Sequence, residues 1–334
     1  MKKEFIIGID VSKDKLDACL LAFGGSDPKE EKVFRNLQAD IIKYFQRVTK
    51  KYGKENLLVC LEHTGYYGLQ LCVVLQQLEI DFVIVPALEI KQSQGITRGK
   101  TDRVDAKRIA IYAWRYYDKL KLTKLPTTEL LLIKELVSVR EQFVKMRTQL
   151  KNSIKQHELI GQFVQNDFAM NTIQEQLNRF EQEIEKLDAQ ILTILKEDEV
   201  LEKNFSLLNT IKGIGPITAV VLMITTNNFT SITDSRKYSS YAGLAPFAKE
   251  SGKMNKGSKV SSLANKKVKA LLHNGACTAI NYDNELKIYY KRKVNEGKAK
   301  LSVLNAVACK IVYRAFAVIK RQTPYVNLYQ NNFA

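Results

Sequence analysis

The order of short apolar runs and amphipathic segments in the N-terminal third of the chain constrains its fold most. Five runs have the length and composition of β-strands, and they cover residues 5–10, 16–22, 33–36, 57–62 and 82–85. Helical patterns follow the third, fourth and fifth of these runs, over about residues 39–52, about residues 66–78 and from about residue 101 onward. The order β-β-β-α-β-α-β-α predicts an α/β domain.

A long stretch without proline, between Pro126 and Pro216, is typical of extended helices. Apolar residues recur there at alternating steps of three and four in two blocks, residues 132–154 and 177–194. These heptad-like blocks predict an α-helical coiled-coil hairpin or a dimerising coiled coil. Two helices packed on their own domain would produce the same pattern.

The C-terminal part begins with a segment, residues 208–219, that approximates a helix-hairpin-helix. The backbone N–H groups around its hairpin glycines, Gly213 and Gly215, are candidates for holding a phosphate, although a plain turn between packed helices would use the same glycines. A Gly-, Ser- and Lys-rich segment at 243–262 then precedes helical patterns over about 263–282 and 302–321.

We therefore expect three regions. They are an α/β domain at 1–125, a helical coiled-coil or dimerisation region at 126–203, and a mostly α-helical C-terminal domain at 204–334.

Two acidic residues close apolar strands, since Asp10 ends the first and Glu62 ends the fourth. Asp102 and Asp105 stand three apart at a helix start, which puts them on one helix face with about 5–6 Å between their Cβ atoms. In an RNase H-like sheet the first and fourth strands are neighbours, and all four carboxylates then converge. Such an oxygen cluster suits Mg²⁺, with Mn²⁺ as an alternative, and two ions can clamp a phosphodiester. Taken singly, each acid has a plainer role as a helix cap, a first-turn charge or a surface residue.

The excess of basic residues predicts a polyanionic partner. The chain has 52 Lys and Arg against 35 Asp and Glu, a formal net charge of +17, and nucleic acid is the default partner of such a protein. The five cysteines stand singly, which argues for reduced thiols and against a zinc site. No apolar run reaches the roughly 20 residues of a membrane span, and no signal-peptide pattern opens the chain. We expect no membrane partner and a cytoplasmic protein, at the nucleoid when it is bound to DNA.

Three segments resemble the parts of the DEDD motif of the transposases of the insertion-sequence 110 family. They read Gly-Ile-Asp-Val-Ser-Lys at 8–13, Leu-Glu-His-Thr-Gly-Tyr at 61–66 and Lys-Thr-Asp-Arg-Val-Asp-Ala-Lys at 100–107. The sequence Tyr-Ala-Gly-Leu-Ala-Pro at 241–246, followed by Glu-Ser-Gly-Lys at 250–253, is similar to that family's C-terminal transposase motif. The motifs occur in matching order and span most of the chain.

The resemblance implies a RuvC-like N-terminal domain that uses magnesium, a coiled-coil insertion, and a C-terminal domain that donates a serine nucleophile. Ser251 is the serine that matches. The resemblance also implies a homo-oligomer, a dimer or tetramer, that acts on double-stranded donor and target DNA, and a non-coding bridge RNA that guides it. Other serines share parts of the Ser251 environment: Ser239, Ser240, Ser258, Ser261 and Ser262.

Basic residues surround both motifs and are predicted nucleic-acid contacts, although a run of charges is more often a solvated face. The predicted contacts beside the acidic helix are Arg98, Lys100, Arg103, Lys107 and Arg108, and those beside the serine are Lys249, Lys253 and Lys256.

Two other functions fit the same residues. One is a RuvC-like nuclease or Holliday-junction resolvase that uses water as its nucleophile, and the other is a non-enzymatic nucleic-acid-binding protein whose acids are structural. Tyrosine pairs such as Tyr289-Tyr290 suit base stacking, but aromatic residues in such positions more often belong to a core.

Overall fold

A computed structural model describes residues 3–93, 102–245, 247–251, 254–260 and 263–326, with the backbone alone described at 247–259. The chain divides into two compact units, Met1–Leu125 and Pro126–Ala334. Each unit has its own core.

The first unit is built on a five-stranded mixed sheet with the order β3-β2-β1-β4-β5. Its strands are β1 (Phe5–Val11), β2 (Lys15–Ala22), β3 (Pro28–Arg35), β4 (Leu57–Glu62) and β5 (Phe82–Val85). Strand β1 pairs with β2 antiparallel and with β4 parallel, so the first and fourth strands are neighbours as the sequence predicts. Strand β3 begins earlier than the apolar pattern indicates, because its N-terminal half is a polar edge.

Both faces of the sheet are covered by helices. Helices α1 (Gln38–Tyr52) and α2 (Leu69–Gln77) pack with Ile7 and Ile9 on one face. Helix α4 (Asp102–Arg115) packs with Ile6, Leu58 and Cys60 on the opposite face. Ile90 of a short helix, α3 (Ala87–Ser93), which the sequence pattern does not indicate, joins the same cluster. Central strands buried on both faces are nearly continuous apolar runs, which is why β1 and β4 are easy to recognise.

The second unit begins with two long helices, α5 (Thr128–Ile160) and α6 (Asp167–Glu197). They run antiparallel, and the rings of Phe143 and Phe180 lie 5.4 Å apart between their centroids. Arg140 Nε donates to Asp188 Oδ1 at 2.5 Å across the same pair. The heptad-like apolar residues are therefore used, at least in part, within one chain.

The rest of the second unit is mostly helical. Its elements are α7 (Glu199–Asn209), α8 (Pro216–Thr226), α9 (Ser235–Tyr241), the two-stranded β6 (Phe247–Ser251) and β7 (Met254–Lys259), α10 (Lys266–Tyr282), α11 (Asn284–Asn295) and α12 (Lys300–Arg321). One core cluster joins these helices to the ends of α5 and α6, for example through Leu130 and Ile194.

Helix α12 is, by length and composition, the one helix of the described residues that could cross a membrane. Its residues Val307, Ile311 and Ala315 are instead fully buried in the core of the second unit. An apolar helix in the middle of a helical core has the same composition as a membrane span, since both are surrounded by apolar atoms.

Candidate functional site

The carboxyl ends of β1 and β4 place two acidic residues side by side. Ile9 of β1 pairs with Leu61 of β4, and the next residue on each strand is Asp10 and Glu62. Both acids are partly buried, in contrast to the apolar residues that precede them, which are fully buried. The parallel register thus brings the first two acids of the predicted set together at one sheet edge.

Helix α4 brings the other two acids to the same edge because it lies unusually close to β1. A Cβ atom added at Gly8 would stand 2.2 Å from the carbonyl oxygen of Ala106 and 2.4 Å from the backbone nitrogen of Ala110. Only a glycine on the strand and small residues on the helix permit such an approach. The first turn of α4, with Asp102 and Asp105, is thereby held against the end of β1.

The pKa of Asp10 reflects the acids gathered around it. The pKa of Asp10 is raised from 3.8 to about 6, first because burial removes solvent from the carboxylate, and then because Asp102, Asp105, Asp17 and Glu62 repel its charge. All the acids of the predicted set therefore act on one carboxyl group. Like charges gathered in a partly desolvated place are costly unless a cation compensates them.

Lys15 and Asp17 also belong to this cluster, although the sequence motifs do not point to them. Asp17 lies opposite Asp10 in the β1–β2 pairing and is only 3% exposed. Lys15 Nζ lies 2.6 Å from Asp102 Oδ2 and 3.1 Å from Asp17 Oδ2, and hydrogen bonds to these two acids raise the pKa of Lys15. The signal that could have found them is the short β1–β2 connection, which sets the register of the two strands.

Cations of the chain compensate two of the predicted metal ligands in this arrangement. Lys15 pairs with Asp102, and Arg108 Nη1 donates to Asp105 Oδ1 at 2.8 Å. Within the described residues no group of three or more His, Cys, Asp or Glu side chains is close enough to hold a metal ion. The donor set nevertheless fits a hard divalent cation in its chemistry, because all four donors are carboxylates. Three of them, Asp102, Asp105 and Glu62, also raise the pKa of the fourth, Asp10.

The predicted nucleophile lies in the second unit. Ser251 is the last residue of β6 and pairs with Met254 of β7, so it stands at the turn end of a two-stranded hairpin. Lys249 falls where the register of the hairpin shifts, between Ala248 and Glu250. Only the backbone of this hairpin is described, and Lys253 lies outside the described residues, whereas Lys256 is a residue of β7.

The predicted phosphate contacts of the helix-hairpin-helix differ in their surroundings. Gly213 has a φ of +96°, and a Cβ there would stand 2.5 Å from the carbonyl oxygen of Gly275 on α10, so this glycine serves helix packing. Gly215 is exposed, precedes α8 as its N-cap, and has open space where a Cβ would stand. Of the two, Gly215 has the geometry for a ligand at the helix start.

The basic residues around α4 are partly described. Arg103 is exposed and Lys107 is partly buried on α4, whereas Arg108 is engaged with Asp105. Arg98 and Lys100 lie outside the described residues.

The raised pKa of Asp10 leads to a stability prediction for metal-free protein. The folded protein binds the Asp10 proton more tightly than the unfolded chain does. Ionisation of Asp10 therefore lowers the free energy of unfolding progressively as the pH rises from 3.8 to about 6, and the full destabilisation is present above that range. Asp10→Asn should therefore stabilise the fold by roughly 1–2 kcal/mol at neutral pH, after discounting for partial exposure, and by little near pH 4.

The measurement is thermal unfolding in chelator between about pH 4 and pH 8, with Asp118→Asn as a control that removes an exposed charge of the same unit. Added Mg²⁺ should raise the unfolding temperature of the wild type but not that of Asp10→Asn. Equal stability of wild type and Asp10→Asn at pH 8 would contradict the claim that ionised Asp10 destabilises the metal-free fold.

Family models match both units of the chain. Residues 7–159 match a model of the DEDD transposases of IS110, described as "Transposase". Residues 205–291 match the model described as "Transposase IS116/IS110/IS902 family". The first match contains Asp10, Glu62, Asp102 and Asp105, and the second contains Ser251.

Two relatives of known name align with nearly the whole chain, and a third aligns with about half of it. The pilin gene-inverting protein of Moraxella bovis is 27% identical over 340 residues, which are 97% of this chain and 98% of that protein. The pilin gene-inverting protein of Moraxella lacunata is also 27% identical over the same shares. The insertion element IS110 uncharacterized 43.6 kDa protein of Streptomyces coelicolor is 28% identical over 48% of this chain and 38% of that protein.

Among solved structures, T. thermophilus RuvC in complex with a Holliday junction substrate aligns with 36% of this chain and 99% of that chain. Its TM-score is 0.29 and its sequence identity 12%.

Proposed function

We propose that this chain is a DNA transposase or recombinase that cuts and rejoins DNA through a phosphoserine intermediate. Matches of residues 7–159 and 205–291 to models of IS110-family transposases support the proposal. The observation that carries the proposal is the convergence of Asp102, Asp105 and Glu62 on Asp10. The proposal is also supported by the sheet order and the antiparallel β2, which suit an RNase H-like, RuvC-like first unit.

Asp10, Glu62, Asp102 and Asp105 are the residues that would hold divalent metal, Mg²⁺ or Mn²⁺. When bound, such ions would polarise the scissile phosphate and stabilise charge on the leaving oxygen. The chain's own contribution is to place the four carboxylates at one edge with small residues beneath them. Lys15 and Arg108 form ion pairs with Asp102 and Asp105, so each of these two acids has a cationic partner.

Ser251 would supply the attacking oxygen. Its Oγ forms a bond to phosphorus, the bond from phosphorus to the leaving DNA hydroxyl oxygen breaks, and the serine proton passes to solvent or a nearby base. Serine is a poor nucleophile unless a base, a metal or cations activate it, and Lys249 and Lys253 are its nearest basic neighbours in sequence. The hydroxyl oxygen of a second strand then attacks the phosphorus and gives up its proton to solvent or a nearby base. The bond from phosphorus to Ser251 Oγ breaks, and Oγ takes up a proton, which regenerates the serine hydroxyl.

The partners follow from the same proposal. We expect donor and target double-stranded DNA, a guide RNA of the bridge type, and a cytoplasmic location with the DNA-bound protein at the nucleoid. The nucleic-acid contacts would come from the basic residues of α4 and of the Ser251 hairpin and from the start of α8, at Gly215.

Assembly into a homo-oligomer is supported by the outer end of the α5–α6 pair. Leu159, Phe163, Val164 and Phe168 are all more than half exposed there, with Phe163 at 86% and Phe168 at 87%. A cluster of exposed large apolar residues on a helical hairpin is typical of a protein interface.

Phe163→Glu with Phe168→Glu should therefore lower the mass measured by light scattering, because charge at both positions opposes burial in an interface. Val200→Glu with Leu301→Glu, at two other exposed apolar positions, is the matched control. A monomeric wild type, or a mass unchanged in the double variant, would remove this end of the helix pair as an interface.

The proposed function is tested by incubating purified protein, with any co-purifying RNA, in Mg²⁺ with donor and target DNA. Expected products are a denaturation-resistant protein–DNA adduct and recombined strands. Cleavage without an adduct would favour a nuclease or resolvase that uses water. Tight DNA binding without cleavage in either metal would favour a binding protein.

A further inference from the structure

The second unit contains a cavity of about 880 Å³ that no part of the proposed chemistry uses. Helices α10, α11 and α12 contribute to its lining, together with Ala245 and Val260. These two residues lie just before and just after the hairpin that carries Ser251. The cavity therefore lies at the base of that hairpin, and a ligand in it would be close to both ends of the hairpin.

The charged groups of the described lining are both cationic. Lys269 of α10 and Lys310 of α12 line the cavity, and no Asp or Glu is among the lining residues that the structure describes. Lys310 Nζ lies 4.7 Å from the centroid of the Tyr289 ring, so a cation–π contact holds this ammonium at the cavity wall. A cavity with this lining favours an anionic ligand.

The neutral lining offers hydrogen bonds and an aromatic face. His273 Nε2 and Asn305 Oδ1 lie 2.5 Å apart, and because the amide oxygen can only accept, the ring N–H donates. Asn305 then presents its amide NH₂ group as a donor, and Ser302 adds a hydroxyl to the same wall. Tyr313 is 42% exposed, which leaves part of its ring open to a planar group.

We propose that this cavity binds one unpaired nucleotide of a nucleic-acid strand, with its phosphate on Lys269 and Lys310 and its base against Tyr313. The volume is in the range of pockets for single small ligands, about 300–1,000 Å³. A base inside a duplex is stacked and paired, so only a base that has left the stack can enter. The inference rests on the proposed action on DNA, in which a strand held here would pass beside the Ser251 hairpin.

The probe is 5′-phosphorylated hexathymidylate, compared with hexauridylate and with a short blunt duplex. Lys269→Gln with Lys310→Gln should weaken hexathymidylate binding about tenfold or more, because both phosphate contacts are lost. Lys266→Gln with Lys320→Gln changes the net charge equally on the same two helices but outside the lining, and it should cost less than about threefold. Tyr313→Leu should also weaken binding about tenfold, whereas Tyr282→Leu, at an exposed position of α10, should not.

Two cysteines report where the oligonucleotide sits. Cys309 lines the cavity, and Cys277 is exposed on α10 outside the lining. Saturating hexathymidylate or hexauridylate should slow alkylation of Cys309 by N-ethylmaleimide and leave Cys277 unaffected, as read by mass spectrometry of wild-type protein. The strand that protects better identifies the source of the nucleotide.

The inference is overturned if neither strand protects Cys309 at saturation, if the duplex protects equally, or if the cavity and control lysine pairs lose the same affinity. DNA cleavage by the wild type in Mg²⁺ is measured in parallel. Cleavage without protection removes the cavity site alone, and protection without cleavage removes the proposed function alone.

Discussion

Asp102→Ala protein should cut donor DNA slower than the wild type by a factor on the order of 1,000 or more, since a lost metal ligand forfeits several kcal/mol of transition-state stabilisation. Asp10→Ala should show a loss of the same size, because Asp10 is the group on which the other acids converge. DNA binding should be unchanged or tighter in both variants, because each removes a negative charge from the place where a phosphate must lie.

The measurement is single-turnover cleavage with a binding isotherm recorded on the same preparation. Asp118→Ala removes an exposed acid of the same unit and should cleave like the wild type. Asp17→Asn removes one charge of the cluster while keeping the shape of a buried side chain, so it should retain folding. It therefore tests whether the charge at this position matters beyond a structural role. Full cleavage by either Asp102→Ala or Asp10→Ala would remove the four-carboxylate assignment.

Ser251→Ala protein should form no covalent adduct with DNA, a complete loss in place of a graded one, because the oxygen that bonds to phosphorus is absent. Adducts are read as DNA-linked protein after denaturation, and a peptide map of the wild type locates the bond. Ser258→Ala, on the partner strand of the same hairpin, is the matched control and should keep the adduct. An adduct in Ser251→Ala would transfer the role to another serine.

A mixture of two inactive proteins tests whether the metal residues and the serine come from different subunits. Asp10 and Ser251 belong to different compact units of the chain. If one subunit supplies the carboxylates and another the serine, Asp10→Ala mixed with Ser251→Ala should regain part of the activity. No recovery at any ratio would mean that both residues act from the same subunit.

The positions of the four acids on strands and helix could be predicted from the sequence because they lie in regular elements. Apolar strands that end in an acid, and two acids three apart at a helix start, are local patterns. That β1 and β4 are neighbours is expected from an RNase H-like sheet, and the two strands do pair in parallel. The Ser251 hairpin could not be predicted, since its Gly-, Ser- and Lys-rich strands lack the alternation of apolar and polar residues that reveals a strand.

The heptad pattern shows the limit of periodicity as evidence. It predicts helices correctly, since α5 and α6 are long and apolar on one side. Which surface that side contacts is a separate matter, because packing against a helix of the same chain and packing against a second copy need the same residues. The Phe143–Phe180 contact belongs to one chain, whereas exposed Phe163 and Phe168 are available to another.

The sequence by itself determined the alternation of strands and helices, the positions of Asp10, Glu62, Asp102 and Asp105 on them, and the basic charge that suits a nucleic acid, because these depend on local pattern and composition. Only the tertiary structure decided that Lys15 and Asp17 join the acids and that a cavity forms beside the Ser251 hairpin. It also decided that Gly8 lets α4 approach β1 closely enough to bring Asp102 and Asp105 to the same edge. These features depend on distances between elements far apart in the chain, which are set by how side chains of particular size pack.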